Sequence, residues 1–301
     1  EALETIYSIK PSLPVVIISG QSNVKIAIEA SRSKAYDYFP KPFNLPDILK
    51  LVSNILRTDV NDLEVQDVPK IELDIPLVGR SIKMQALYKT IAKVINIDLP
   101  ILILGESGVG KSLIASMIHN FSDLKSQSFK TIHAKELNKI ENIQSFLYDD
   151  NIGTILLDEV ADLSSNAQSL IVQAFDGFYG GKPKILSTSQ HNLEDLMHKG
   201  IFRKDLFYRL NGISISVPPL RERTEDIELL ASYFISSDSD TNSCKIVLTK
   251  PAFDKLRDYT WPGNIRQFKN LIKGLKYTCE NTTISDSDVS LALSSQPNIG
   301  I

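Results

Sequence analysis

The sequence predicts an α/β protein of two β-α units joined by a polar linker, the second unit ending in a small all-helical part. Three observations carry this. Short β-branched runs alternate with helical patterns, as they do where crossover helices join parallel strands. A glycine-rich segment at residues 105–112 stands between one such run and a helix. Beyond Pro218-Pro219 the strand-like runs give way to successive helical patterns.

Residues 14–19 (PVVIIS) form a β-branched run ending in a small polar residue, residues 24–30 read as helical, and residues 35–39 read as a short strand ahead of Pro40-Lys41-Pro42. Residues 45–56 close this first unit, residues 1–57, as an amphipathic helix. Functional side chains gather at the C-terminal ends of parallel strands, and Ser19 and Lys41 stand at two such ends. Residues 58–75 are polar and acidic with no sustained period, which marks a linker. In the second unit, residues 76–218, the pattern gives a helix at 82–94, a buried strand at 100–104, a helix at 111–120 and strands at 153–157 and 184–186. Residues 219–290 carry helices at 224–235, 250–259 and 263–279, and residues 291–301 are a tail.

Composition narrows the function classes. The 33 basic and 36 acidic residues give a net charge of -3, so no overall field recommends a nucleic-acid or anionic-membrane partner. Cys244 and Cys279 lie far apart without metal-ligand spacing, which argues against structural zinc and a disulfide framework and fits a reducing cytosol. The longest apolar run, residues 99–104, is interrupted by Pro100 and falls far short of the roughly 20 residues that cross a bilayer. A cytoplasmic protein without membrane contact is the expectation. The chain opens on Glu1 inside a helical pattern, and we expect the gene product to extend upstream.

The strongest chemical signal is Gly105-Glu106-Ser107-Gly108-Val109-Gly110-Lys111-Ser112, which fits G-x-x-x-x-G-K-[ST] directly after a strand and before a helix. The glycines let backbone N–H groups approach phosphate oxygens, the helix N-terminus adds a favourable dipole, Lys111 neutralises β and γ phosphates, and Ser112 ligates Mg²⁺. A cation held only by Ser112 and phosphate is under-coordinated, so a carboxylate at a neighbouring strand end is required. Ile155-Leu156-Leu157-Asp158-Glu159 supplies it, with Asp158 as metal ligand and Glu159 as the base that orients water toward the γ-phosphate.

Residues 201–211 (IFRKDLFYRLN), 217–223 (VPPLRER) and 261–270 (WPGNIRQFKN), together with the glycine-rich loop, closely resemble the AAA+ domain of NtrC/NtrX-type bacterial enhancer-binding proteins across about residues 77–289. Residues 1–57 resemble the C-terminal half of a flavodoxin-like response-regulator receiver, with Ser19, Tyr38 and Lys41-Pro42 in the pattern's places. The resemblance implies a cytoplasmic two-component regulator of transcription, partnered by a sensor histidine kinase where the receiver is whole. It implies a P-loop AAA+ domain with a small all-α lid, which binds ATP and Mg²⁺ between the subunits of a ring and in the usual members remodels sigma-54 polymerase.

By motif position, Arg203 and Arg209 are the arginines that reach a neighbour's γ-phosphate, and Arg266 is the lid arginine that senses nucleotide. On one straight helix a spacing of six puts Arg203 and Arg209 on different faces, which leaves one of them for packing or the subunit contact. Within Ser187-Thr188-Ser189, Ser189 takes the polar sensor position, with a strand-end cap as the other reading. In the receiver, Ser19 bonds a phosphoryl oxygen, Lys41 pairs with it, and Tyr38 is the aromatic switch.

Five departures from the pattern bear on output. Residues 131–153 carry no Gly-Ala-Phe-Thr-Gly-Ala loop, and residues 178–183 are shorter than the family's supporting element, so the sigma-54 contact is expected to be lost. His133 stands where the pattern has an Asn that couples the glutamate to that loop, or else serves as a strand-end hydrogen-bonding residue. No phosphoacceptor Asp precedes Ser19 at the end of an earlier strand, and no helix-turn-helix follows the lid, so DNA contact is not expected from these residues. Lys269, Lys273 and Lys276 read as a solvated face. Two functions stay open: a response regulator with weak or uncoupled ATPase activity, or a non-catalytic nucleotide-dependent oligomerisation or interaction module.

Overall fold

Apolar runs that end on a polar residue become strands wherever the chain is described, in a computed structural model covering residues 2–10, 13–20, 35–40, 77–139, 151–176, 183–236, 246–278 and 283–296. The chain divides into two compact units, residues 1–94 and 95–301. In the first, α1 (Ala2–Ile9) precedes β1 (Val16–Ser19) and β2 (Asp37–Pro40). The two strands are parallel, with Val16 opposite Asp37 and Ser19 opposite Pro40, as a β-α unit requires. The helices expected at 24–30 and 45–56, and Lys41, lie outside the described residues. Further on, α2 (Ile82–Val94) buries Met84, Leu87, Tyr88, Ile91 and Val94, a helical spacing of three and four. The Tyr88 hydroxyl lies 3.1 Å from both the Leu77 and Gly79 carbonyls and ties down the segment entering the helix.

The second unit is built on a five-stranded parallel sheet of β3 (Ile101–Leu104), β4 (Ser128–His133), β5 (Ile152–Asp158), β6 (Lys184–Ser189) and β7 (Ile213–Ser216), in the order β4-β5-β6-β3-β7. Helices α3 (Lys111–Phe121), α4 (Ala134–Leu137), α5 (Ser165–Asp176), α6 (Leu193–His198) and α7 (Lys204–Leu210) connect the strands. Buried on both faces, β5 is apolar from Ile155 through Leu157 and turns polar only at Asp158, because its last residue leaves the core. One core cluster runs from Leu102 and Ile155 through Ile171 to Leu206 and Leu210. Register brings the C-terminal ends together: Leu104 is paired with Ser189 and Ser216, and His133 with Asp158.

At the opposite, N-terminal ends of the strands, Lys184 begins the middle strand and is buried. Its Nζ donates to the Ile95 and Ile97 carbonyls at 2.5 and 3.1 Å, just beyond α2. Burial pulls this ammonium down to about 8, against the opposing influence of Asp98 and Asp123.

Past β7 the chain is helical, with α8 (Ile227–Ser236), α9 (Lys250–Asp258), α10 (Asn264–Thr278) and α11 (Asp286–Ser294). The short strands β8 (Val247–Leu248) and β9 (Thr283–Ile284) pair in parallel between them. Trp261, the chain's one tryptophan, is fully buried here, with edge-on ring contacts to Tyr259 and Phe268 and its indole N–H donated to the Leu256 carbonyl at 2.7 Å. No helix among the described residues is long and apolar enough to cross a membrane.

Candidate functional site

The site forms where β3, β5 and β6 end. Past Leu104 the Gly105 N–H donates to the Ser189 carbonyl at 3.2 Å, and the chain then turns through positive φ at Gly108 (+78°) and Gly110 (+104°) before α3 begins. Gly108 is required twice over, since a Cβ there would also lie 2.3 Å from the Gly263 carbonyl oxygen. Lys111 opens the helix with its side chain buried and folded back over the loop. Its Nζ donates to the Gly105 and Glu106 carbonyls at 2.8 and 3.3 Å and pairs with Glu159 Oε1 at 2.9 Å.

Each oxygen of the acidic pair is engaged. Asp158 Oδ1 accepts from Thr188 Oγ1 at 2.7 Å and from Ser112 Oγ at 3.4 Å, while Oδ2 lies 2.9 Å from His133 Nδ1. Glu159 leaves β5 in the left-handed region (φ +56°), a costly conformation for a residue with a side chain. It is held there by its N–H, which donates to Thr188 Oγ1 at 2.9 Å, and by the Gln190 N–H, which donates to Glu159 Oε2 at 3.0 Å. Thr188 thus braces both carboxylate residues, a role the sequence reading did not give it. Ser189, the sensor candidate, instead donates its hydroxyl to the His191 carbonyl at 2.7 Å and accepts from the His191 N–H. His133 meets Asp158, its register partner, rather than Glu159.

The arginine candidates are not on one straight helix. Arg203 is the N-cap of α7 and Arg209 lies in its last turn, so the face argument drawn from a spacing of six does not apply. Arg203 forks onto Asp205 at 3.0 and 2.7 Å and gives its remaining Nη to Ser169 at 2.9 Å. That guanidinium holds the Asp205 carboxyl down to about 2. Together with Lys204 and Tyr208, the two residues line an open surface depression. Arg266, near the start of α10, donates its backbone N–H to the Gly108 carbonyl at 3.3 Å and leaves its side chain exposed.

Within the loop, Glu106 takes both Arg221 Nη atoms, at 2.8 and 2.5 Å, and this guanidinium holds its carboxyl below the usual range. The Ser107 and Val109 carbonyls also point to the lid side, toward Asn264 and Arg223. In the first unit, Ser19 ends β1 and Tyr38 lies in β2.

This donor set suits an anion with a hard cation. A lysine and a helix N-terminus preceded by glycines match phosphate, and the hydroxyl and carboxylate oxygens of Ser112 and Asp158 match Mg²⁺. Among the described residues no group of three His, Cys, Asp or Glu side chains could hold a metal, and Mg²⁺ ordinarily takes one or two protein oxygens and fills its shell with phosphate oxygens and water.

Two family models match in succession: the sigma-54 interaction domain over residues 78–220 and the AAA+ ATPase lid domain over residues 221–299. The DNA-binding transcriptional regulator NtrC of Azospirillum brasilense is 32% identical over 305 residues, covering 91% of this chain and 63% of that protein. The response regulator PilR of Pseudomonas aeruginosa is 32% identical over 311 residues, covering 94% of this chain and 69% of that protein. Among solved structures, NtrX from Brucella abortus in complex with ATP superposes with a TM-score of 0.61 at 28% identity, covering 99% of this chain and 72% of that one. The chain therefore spans roughly two thirds of the length of these relatives.

Proposed function

Because this chain belongs to the NtrC/NtrX-type family of sigma-54-interacting AAA+ response regulators, we propose that it is an ATP-binding, two-component regulator of DNA-templated transcription with weak or uncoupled ATPase activity. The reading rests on one observation. Lys111, Ser112, Asp158 and Glu159 converge on a single cluster, with Lys111 2.9 Å from Glu159 and Ser112 3.4 Å from Asp158. ATP is the nucleotide, as in the Brucella relative, and the protein is cytoplasmic.

Lys111 and the loop N–H groups bind the phosphates, and Ser112 and Asp158 hold Mg²⁺. The bound cation supplies charge neutralisation at the phosphates. Glu159, released from Lys111, accepts a proton from the attacking water, and Thr188 keeps both carboxylates in place. Arg203 and Arg209 act in trans on a neighbour's γ-phosphate within a ring-type homo-oligomer, which makes turnover depend on assembly. Arg266 and Ser189 belong to the nucleotide's surroundings, and Ser19, Tyr38 and Lys41 to the receiver switch read by a sensor kinase. With no Gly-Ala-Phe-Thr-Gly-Ala loop, contact with sigma-54 polymerase is not part of this proposal.

A second reading, a non-catalytic nucleotide-dependent interaction module, is favoured by Glu159, whose carboxylate oxygens are both engaged, by Lys111 and the Gln190 N–H. Steady-state ATP hydrolysis measured against protein concentration, with Glu159→Gln and Arg203→Ala beside the parent, separates the two. We expect slow turnover that rises with concentration and disappears in both variants. Tight ATP binding without turnover at assembling concentrations would establish the interaction module instead.

A further inference from the structure

The phosphate loop is held from outside as well as from within. Three successive carbonyls on its outer side each meet a donor from the lid side: Ser107 O meets Asn264 Nδ2 at 3.0 Å, Gly108 O the Arg266 N–H at 3.3 Å, and Val109 O Arg223 Nη2 at 3.4 Å. A peptide is planar and trans, so the carbonyl of one residue and the N–H of the next point in opposite directions. Drawing carbonyls 107, 108 and 109 toward the lid therefore turns the N–H groups of Gly108, Val109 and Gly110 away from it, toward the side where Lys111 lies.

Asn264 is the keystone of this arrangement. It is fully buried, and every hydrogen-bonding atom of its amide is used. Nδ2 donates to Ser107 O and to Glu106 Oε2, both at 3.0 Å, and Oδ1 accepts the Leu220 N–H at 2.8 Å. Its backbone stands at φ +50°, in the left-handed region that asparagine tolerates better than most residues. Few side chains meet all of these demands. Glycine fits the backbone but bonds nothing, aspartate lacks the two donors, and leucine or valine fits neither requirement.

We propose that Asn264 is a positioning residue for phosphate: from the lid, its amide presets the loop N–H groups that receive the nucleotide's phosphates. The inference rests on the nucleotide-binding reading above and adds to it a determinant that touches no nucleotide itself.

The test uses the full chain and compares it with Asn264→Asp, which keeps the acceptor for Leu220 but loses both donors. The second variant, Asn264→Gly, keeps the left-handed backbone. Equilibrium binding of Mg-ADP and of inorganic tripolyphosphate, each by displacement of a fluorescent ADP, is read beside Trp261 emission and thermal unfolding. Both ligands should weaken by about tenfold in each variant, the order set by one or two hydrogen bonds, while the emission stays that of a folded lid. Unchanged tripolyphosphate affinity, or a loss confined to ADP, would overturn the proposal and leave the nucleotide-binding reading standing. A parent chain that binds neither ligand would remove that reading and this inference with it.

Discussion

The two flanks of the loop between β3 and α3 are held by different kinds of contact. On the inner flank, Lys111, Ser112, Asp158, Glu159, Thr188 and His133 hold one another through side chains, several of them charged and partly open to water. On the lid flank, the loop's own carbonyls are bonded by Asn264, Arg266 and Arg223, and a glycine lies against the lid backbone. Two of the inner contacts, Lys111 with Glu159 and Ser112 with Asp158, are of the kind that phosphate and a cation replace. The lid contacts use atoms a nucleotide does not need, so on the reading proposed above its binding does not require them to break. Readiness for ligand thus comes from one flank and exchange with ligand from the other.

Replacing Lys111 with alanine should separate the flanks most sharply. ATP affinity is expected to fall roughly 30-fold or more, given about 2–5 kcal/mol for deleting one member of a desolvated charged contact. Trp261 emission should stay unchanged, because the lid flank does not depend on the lysine. Displacement of a fluorescent ATP analogue reads the first quantity, and a shifted emission spectrum would break the comparison.

Gly108→Ala strikes both flanks at once. A Cβ on a left-handed backbone, aimed at the Gly263 carbonyl, should cost about 1–3 kcal/mol of stability as well as affinity, read by urea denaturation. Undiminished stability would mean that loop and lid are less closely joined than the 2.3 Å approach implies.

Much of this was legible in the sequence, because it is written locally. The β3–loop–α3 passage and the apolar run ending in Asp158-Glu159 each occupy one short stretch, and the α/β class and the family resemblance are sums of such stretches. The helices expected at 82–94, 111–120 and 250–259 correspond to Ile82–Val94, Lys111–Phe121 and Lys250–Asp258. Contacts between distant stretches were not legible. Three polar residues at the end of β6 give no clue to which one faces the carboxylates, and it is Thr188, whereas Ser189 turns to its own loop. Asn264 sits in a motif read for its arginine, and its partners at Glu106 and Ser107 stand more than 150 positions away. Arg203 reads as helical by pattern, yet it is the cap, since its backbone is extended before Lys204.

The smallest expected effect concerns acid. Arg221 holds the Glu106 carboxyl below its ordinary value of 4.5, so the stability this contact lends is present above that value and lost as pH falls through the lowered one. The difference in unfolding free energy between the parent and Glu106→Gln should shrink between about pH 6 and pH 3. It should not exceed about 1 kcal/mol for so exposed an ion pair. A difference that grows toward acid would contradict the lid-flank assignment.

Lys184 adds a mechanical consequence. Its ammonium grips the carbonyls of Ile95 and Ile97, the first stretch of chain after α2, and roots them in the middle strand of the sheet at the end away from the loop. Tension arriving at residues 95–97 would therefore be shared between β3, which the chain enters at Ile101, and, through Lys184, the middle strand β6. The strand that carries the phosphate loop is thus not left to bear that load alone.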